Sequence, residues 1–220
     1  VQRTQENPLL VLNDIEGIKN ILNFSVKNDC KRIFFSSSSE VYGEPVEMPQ
    51  NEVTTPLNSR VPYAIVKSVG ESFLRTYSSQ FGLDFTIMRF FNTYGPRQKN
   101  DFVITKFIEL ALSNQDITIN GDGNQTRSFL HVDDNTEFTI KILEEKELIN
   151  EVVNVGSDIE IKIVDLARLI IEILGSKSKI IFLPPLKDGD MTRRKPDITK
   201  MKKFYNKEII SLEDGIRLVA

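Results

Sequence analysis

The stretch from residue 33 to residue 67 constrains this chain most. Ile33-Phe34-Phe35 runs without a break into Ser36-Ser37-Ser38-Ser39-Glu40, a polar proline-containing loop comes next, and Tyr63-Ala-Ile-Val-Lys67 then opens a helical pattern. An apolar run that delivers hydroxyls at its end reads as a buried strand of an open α/β sheet, and such sheets bind ligands outside their carboxyl ends. Tyr63 and Lys67 stand one helical turn apart and so share a face. A phenol beside an ammonium suggests a tyrosine prepared for proton transfer.

The flanking periodicities build a framework around that stretch. Val11, Ile15, Ile18, Leu22 and Val26 step by three and four and predict a helix over 8–29. Ile65, Val69, Phe73 and Tyr77 form the apolar stripe of a helix over 63–81, which Gly82 is well placed to stop. Both stripes are open to two uses, core packing and contact with a partner. Asp84 to Phe91, rich in β-branched and aromatic residues, predicts a second buried strand, and the helix between the two strands makes a parallel βαβ unit. Further helices are expected over 103–112, from an N-cap at Asp133 or Asp134 to about 145, over 164–174, from Pro196, and from Leu212; strands are expected over 117–120, 128–132, 152–155 and 180–182.

Composition narrows the class. With 40% hydrophobic residues in 220, the chain can bury a real core; its net charge of −3, with scattered Lys and Arg, offers no basic face for nucleic acid. No apolar run has the length of a membrane span, and the single cysteine, Cys30, suits a reducing compartment, so a soluble cytoplasmic protein is expected. No cluster has metal-ligand spacing, and His131, the one histidine, reads as structural. Nowhere does a strand run into Gly-x-Gly-x-x-Gly: Gly121-Asp-Gly123 precedes a strand. The alternation of strands and helices begins in mid-pattern, and the last residues start a helix and stop. An incomplete chain, with no guarantee of activity by itself, is therefore expected.

Five motifs in order then carry a resemblance: Ser-Ser-Ser-Ser-Glu-Val-Tyr-Gly, Tyr63-x-x-x-Lys67, Arg89-Phe-Phe-Asn92-Thr-Tyr-Gly-Pro-Arg97, Gly121-Asp-Gly-Asn-Gln-Thr-Arg127-Ser-Phe and Val132-Asp-Asp. Together they resemble the extended short-chain dehydrogenase/reductase family, and within it the NAD-dependent nucleotide-sugar epimerases, dehydratases and decarboxylases of the UDP-glucose 4-epimerase and UDP-glucuronate decarboxylase kind. The resemblance implies an α/β fold: a parallel-sheet NAD(P)-binding Rossmann fold, here without its first strands, and a smaller C-terminal α/β substrate domain. Residues 1–92 would be the second half of the dinucleotide-binding domain and residues 93–220 mainly the substrate domain, with segments near 133–156 as candidates to return to the first.

The resemblance also implies roles. Tyr63 would be the base that takes a proton from a sugar hydroxyl while hydride leaves to NAD, Lys67 would lower its pKa from about 10 and hold the nicotinamide ribose, and Ser38 would orient the hydroxyl. Ser36, Ser37 and Phe90 would line the cofactor beside Tyr63 and Lys67. Ser39 and Glu40 would decide the fate of the 4-keto sugar. Glucose-type 4,6-dehydratases carry Asp-Glu there, whereas Ser-Glu resembles the UDP-glucuronate decarboxylases and GDP-mannose dehydratases. Asn92, Arg127 and Arg194 would hold the substrate, Arg127 on the diphosphate and Arg194 on a sugar carboxylate; Arg97 and Arg193 have weaker claims, as loop cations. The leading expectation is a 4-epimerase, followed by a decarboxylase. A third, of another class, is a non-catalytic nucleotide-sugar-binding protein without the dinucleotide loop. The expected partners are a nucleotide-diphosphate sugar and a second copy of the chain, docked through helices 8–29 and 63–81.

Overall fold

The computed structural model describes residue 7, residues 9–185 and residues 192–220. Pro8, where the first helix is expected to begin, and Gly189, Asp190 and Met191, at the start of the arginine-rich cluster, lie outside the described residues. In chain order the elements are α1 (Leu9–Lys27), β1 (Arg32–Ser38), α2 (Pro62–Phe81), β2 (Asp84–Phe90), β3 (Thr93–Tyr94), α3 (Val103–Leu112), β4 (Ile117–Asn120), β5 (Thr126–Ser128), β6 (Leu130–His131), α4 (Val132–Lys141), β7 (Glu151–Val155), β8 (Glu160–Lys162), α5 (Ile163–Leu174), β9 (Ile180–Leu183), α6 (Thr199–Phe204) and α7 (Leu212–Val219).

β1, β2 and β7 form a parallel sheet in that order. The register pairs Ser38 with Phe90 and Phe90 with Val155, so the three strands finish level and present one carboxyl edge. Side chains alternate across β2, as strand geometry requires. Phe85 and Ile87 enter a core with Leu22, Leu74 and Val152 beneath α1 and α2. Met88 and Phe90 face the other way, toward Phe138, Val153 and Phe204. A third core, around Phe107, Ile119, Leu166 and Ile216, gathers α3, β4, α5 and α7 into a separate layer. This is the parallel-sheet Rossmann-like α/β architecture that the resemblance implied.

Several elements differ from expectation for physical reasons. The stripe Ile65–Val69–Phe73–Tyr77 is not the inner face of α2: Ile65 and Phe73 are 45% and 49% exposed, and the buried residues are Ala64, Val66, Gly70, Glu71 and Leu74. Small residues win that face because α2 approaches β1 so closely that a Cβ on Gly70 would collide with the Phe35 ring. The N-cap of α4 is His131, whose Nδ1 accepts the Asp133 N–H; Asp133 and Asp134 fall in the first turn, where their charge suits the helix dipole. The strand expected over 128–132 is two short ones, because β5 pairs with β8 and β6 with β3, and α4 ends at Lys141 rather than near 145. Pro196 opens no helix; it bridges to Gln50, and α6 begins three residues later at Thr199.

Candidate active site

β1 ends in the serines, and the chain turns at once into a 3₁₀ turn, Ser39–Tyr42. Ser38 caps the turn, its Oγ accepting the Glu40 N–H at 3.2 Å. The strand end and the turn open onto a cavity of about 600 Å³, lined by Ser36 to Glu40, Tyr63, Lys67, Phe90, Asn92 and Arg194. Arg127 is elsewhere: it lines a neighbouring cavity of about 260 Å³ that shares Asn92, Val103 and Phe129 with the first. The two together make an elongated site, with Asn92 at the junction and its amide held by the Ser128 carbonyl at 2.9 Å.

α2 starts at Pro62, whose fixed φ suits a first helical turn, and places Tyr63 at the cavity wall. Tyr63 and Ser38 both line the cavity, and the Ser38 hydroxyl favours the Tyr63 phenolate. Lys67, one turn on, donates from Nζ to the Ser36 carbonyl at 2.8 Å. Its Nζ stands 5.7 Å from the centre of the Tyr63 ring. The expected lowering of the Tyr63 pKa by Lys67 is not what this geometry gives. Burial raises the Tyr63 pKa above its usual value, the Ser38 hydroxyl works against that rise, and the Glu40 and Asp14 carboxylates add to it. Burial likewise lowers the Lys67 pKa, which Asp14 opposes.

Ser37 is among the residues lining the cavity, with its side chain engaged inside the protein. Its Oγ is turned inward and donates to Glu71 at 2.5 Å, so it is the backbone of Ser37 that borders the cavity. Glu71 also takes two bonds from Arg89, at 3.0 and 2.7 Å. Arg89 reaches on to the Tyr42 hydroxyl at 2.9 Å, which bonds Asn154 at 2.8 Å. Burial works against the Arg89 charge, but these partners hold its pKa above the ordinary value. An arginine in the middle of an apolar strand, with a glutamate four residues after Lys67, is the signal from which this network could have been foreseen.

Glu40 and Arg194 meet across the cavity, Nη2 to Oε1 at 2.9 Å, with both side chains largely buried. A short parallel bridge brings Arg194 there. The Gln50 N–H donates to the Lys195 carbonyl and the Asp197 N–H to the Gln50 carbonyl, each at 2.8 Å. Arg193 points away and pairs with Glu160 near the surface. Arg97 lines a different cavity, with Asp133 and Glu137. Sequence reasoning missed Asp101, Lys106 and Gln125, which join Arg127 around the second cavity; scattered polar residues on several segments carry no spacing signal.

The model of the NAD dependent epimerase/dehydratase family matches residues 1–156. The chain is 36% identical over 231 residues to a UDP-N-acetyl-alpha-D-glucosaminuronate decarboxylase of Bacillus cytotoxicus, which covers 99% of this chain and 71% of the relative. It is 36% identical over 224 residues to a putative UDP-glucose 4-epimerase of Methanocaldococcus jannaschii, covering 100% of this chain and 72% of that one. Among solved structures, a UDP-glucose 4-epimerase from Thermotoga maritima, crystallised with UDP-glucose, superposes with a TM-score of 0.92 at 32% identity, over 99% of this chain and 72% of its own. The chain belongs to the NAD-dependent epimerase/dehydratase family.

Proposed function

We propose that the chain belongs to a nucleotide-sugar 4-epimerase, an isomerase that works through a 4-keto sugar. The donor set at the carboxyl edge of the sheet fits the nicotinamide–ribose end of NAD: Lys67 keeps two of its three N–H donors beyond the bond to Ser36, and Phe90 offers an apolar wall. When bound, NAD would supply the hydride acceptor. Tyr63 then takes the proton of the sugar hydroxyl, Ser38 holds that hydroxyl in line, and Lys67 grips the ribose. A half-buried phenol is a poor base by itself, so proton removal by Tyr63 depends on groups that favour its phenolate, Ser38 among them.

The observation that carries epimerisation is the Glu40–Arg194 ion pair. Glu40 is the only acidic side chain among the described residues lining the cavity, and it is engaged at 2.9 Å. Turning the ketone and returning the hydride needs no further acid or base; loss of water does. A second reading, UDP-glucuronate decarboxylation by a lyase, is favoured by the other half of the same pair. Arg194 presents a guanidinium at the cavity, and a substrate carboxylate would compete with Glu40 for it. The nucleoside diphosphate would lie toward Arg127 and the sugar toward Tyr63, with Asn92 between, as the shared lining of the two cavities supports.

In this reading residues 1–92 serve the cofactor and residues 93–220 mainly the nucleotide sugar, with β7 returning to the sheet beside β2. Leu10, Ile21 and Phe24 on α1 and Ile65 and Phe73 on α2 are exposed, and we assign that apolar surface to a second copy of the chain, to be checked by sedimentation. No helix among the described residues is long and apolar enough to cross a membrane; a cytoplasmic setting accords with a nucleotide-sugar substrate.

The test is to offer the full-length gene product a panel of nucleotide sugars and follow product mass. Unchanged mass with an altered sugar NMR spectrum selects epimerisation. Loss of carbon dioxide selects decarboxylation and loss of water dehydration. Binding of a nucleotide sugar with no turnover in the presence of NAD would select a non-catalytic protein and end the proposal.

A further inference from the structure

Three side chains on α2, each one turn after the last, face the serines that end β1. Lys67 meets the Ser36 carbonyl at 2.8 Å and Glu71 the Ser37 hydroxyl at 2.5 Å, while Tyr63 lines the cavity with Ser38. Tyr63 and Lys67 face the cavity, while Glu71 is fully inside, 2% exposed. Its carboxylate is clamped from the far side by Arg89, through bonds of 3.0 and 2.7 Å, and Arg89 is fixed within β2. Gly70, beside it, lets the helix lie directly on Phe35. The register sets Ser37 opposite Arg89, so one carboxylate ties together β1, β2 and the helix that bears the base.

We infer that Glu71 is a positioning residue for the Tyr63–Lys67 pair: bridging Ser37 and Arg89, it fixes the height and rotation of α2 so that the ammonium meets the Ser36 carbonyl and the phenol stands at the cavity wall. It acts through Tyr63 and touches neither substrate nor cofactor. The catalytic consequence rests on the function proposed above; the mechanical one does not. A helix set by a buried bidentate ion pair and a short hydroxyl bond has little freedom to slide, and a displacement of about 1 Å at a reacting group can slow a reaction about a hundredfold.

The experiment uses the full-length protein in two variants. Ser37→Ala removes one rung and leaves the ion pair intact, and Glu71→Gln keeps shape and loses charge. The first readout is the ultraviolet tyrosinate titration of Tyr63 without ligands, taken as the difference between each protein and its Tyr63→Phe counterpart. Other groups facing Tyr63 (Glu40 on the 3₁₀ turn, Asp14 on α1 and Lys67 on α2) are untouched by these changes. If the bridge sets the place of Tyr63 relative to Ser38, loosening it withdraws a hydroxyl that favours the phenolate, and Tyr63 titrates at higher pH in both variants. The second readout is kinetic: kcat should fall by about ten- to hundredfold in Glu71→Gln, less in Ser37→Ala, with KM for the nucleotide sugar held within about twofold. A folded Ser37→Ala protein whose Tyr63 titration is unmoved overturns the inference, whatever becomes of Glu71→Gln. A Tyr63→Phe protein that still turns over overturns the proposed reaction instead, and leaves the titration result standing.

Discussion

The junction of β1 with α2 and the seam between residues 40–51 and 194–197 both border the same cavity, yet they are built in opposite ways. The junction brings together residues at most a few tens of positions apart, on two paired strands and one helix, and is tied by a buried charged network, with Glu71 and Arg89 each 2% exposed. The seam joins residues about 150 positions apart through single backbone bonds, an isolated bridge between Gln50 and Pro196, and the Glu40–Arg194 pair. Under the proposed function, the junction performs the oxidation and the seam decides the fate of the resulting ketone. A rigid base on a close-packed helix, beside a specificity contact held by loops, allows the second to change without disturbing the first.

Tyr63→Phe gives the sharpest separation of the two regions. It removes one oxygen from the junction and should lower kcat by about 10²- to 10⁴-fold for every nucleotide sugar accepted, the usual worth of a general base. A loss confined to one substrate would place the base outside the junction. Arg89→Ala attacks the same region through stability. It leaves Glu71 buried without its cation and should cost about 3–5 kcal/mol in a urea titration. The matching cut in the seam, Asn51→Ala, removes a 2.9 Å bond to Asp197 together with the bonds that Asn51 Oδ1 accepts from the exposed Val53 and Thr54 N–H groups, and should cost only about 1–2 kcal/mol. Comparable losses in the two variants would erase the distinction between a charged junction and a lightly fastened seam.

The same contrast governs how much of the molecule is legible in the sequence. The Ser-rich strand end, Tyr63 and Lys67 sit on adjacent elements with strong patterns, and β1, β2, α3 and β4 fall where periodicity puts them. The inner face of α2 escapes periodicity because the stripe of large apolar residues, Ile65 and Phe73 among them, marks the side turned outward, while the side against the sheet carries Gly70 and a buried glutamate. Close approach and ion pairing both hide from a hydrophobicity pattern. The cap of α4 escapes too, because a histidine nitrogen replaces the usual carboxylate. That Arg194 reaches Glu40 depends on a bridge between Gln50 and Pro196 that no local pattern announces, so resemblance alone points to Arg194.

Arg194→Ala tests the seam with a smaller, selective effect. Lys67 is held by the Ser36 carbonyl at the end of β1 and Tyr63 stands one turn before it on α2, whereas Arg194 is held by Glu40. Oxidation of a neutral sugar should therefore continue with kcat changed by less than about threefold, while KM for a substrate carrying a C6 carboxylate should rise by about tenfold or more. Steady-state kinetics on a neutral and a carboxylated nucleotide sugar decide it. Equal losses on both would make the Glu40–Arg194 pair a structural brace, and a gain on the carboxylated sugar would count against decarboxylation altogether.

The smallest effect comes from outside both regions. Asp14, on α1, is exposed, and its negative charge raises the pKa of Tyr63 and opposes the lowering of that of Lys67. Replacing it with asparagine keeps the size and removes the charge. The phenolate is then less disfavoured, so the Tyr63 pKa falls, and the rising limb of kcat against pH moves to lower pH. Because the carboxylate is solvated and screened, the displacement should be below about half a pH unit, and it should shrink as salt is added. The direction carries the information: a base at Tyr63 must respond to a lost negative charge with an acid-side shift, whereas an essential acid there would show the same displacement on the falling limb. A profile that Asp14→Asn leaves in place at low salt would mean that the group limiting the rate is not the one at the junction.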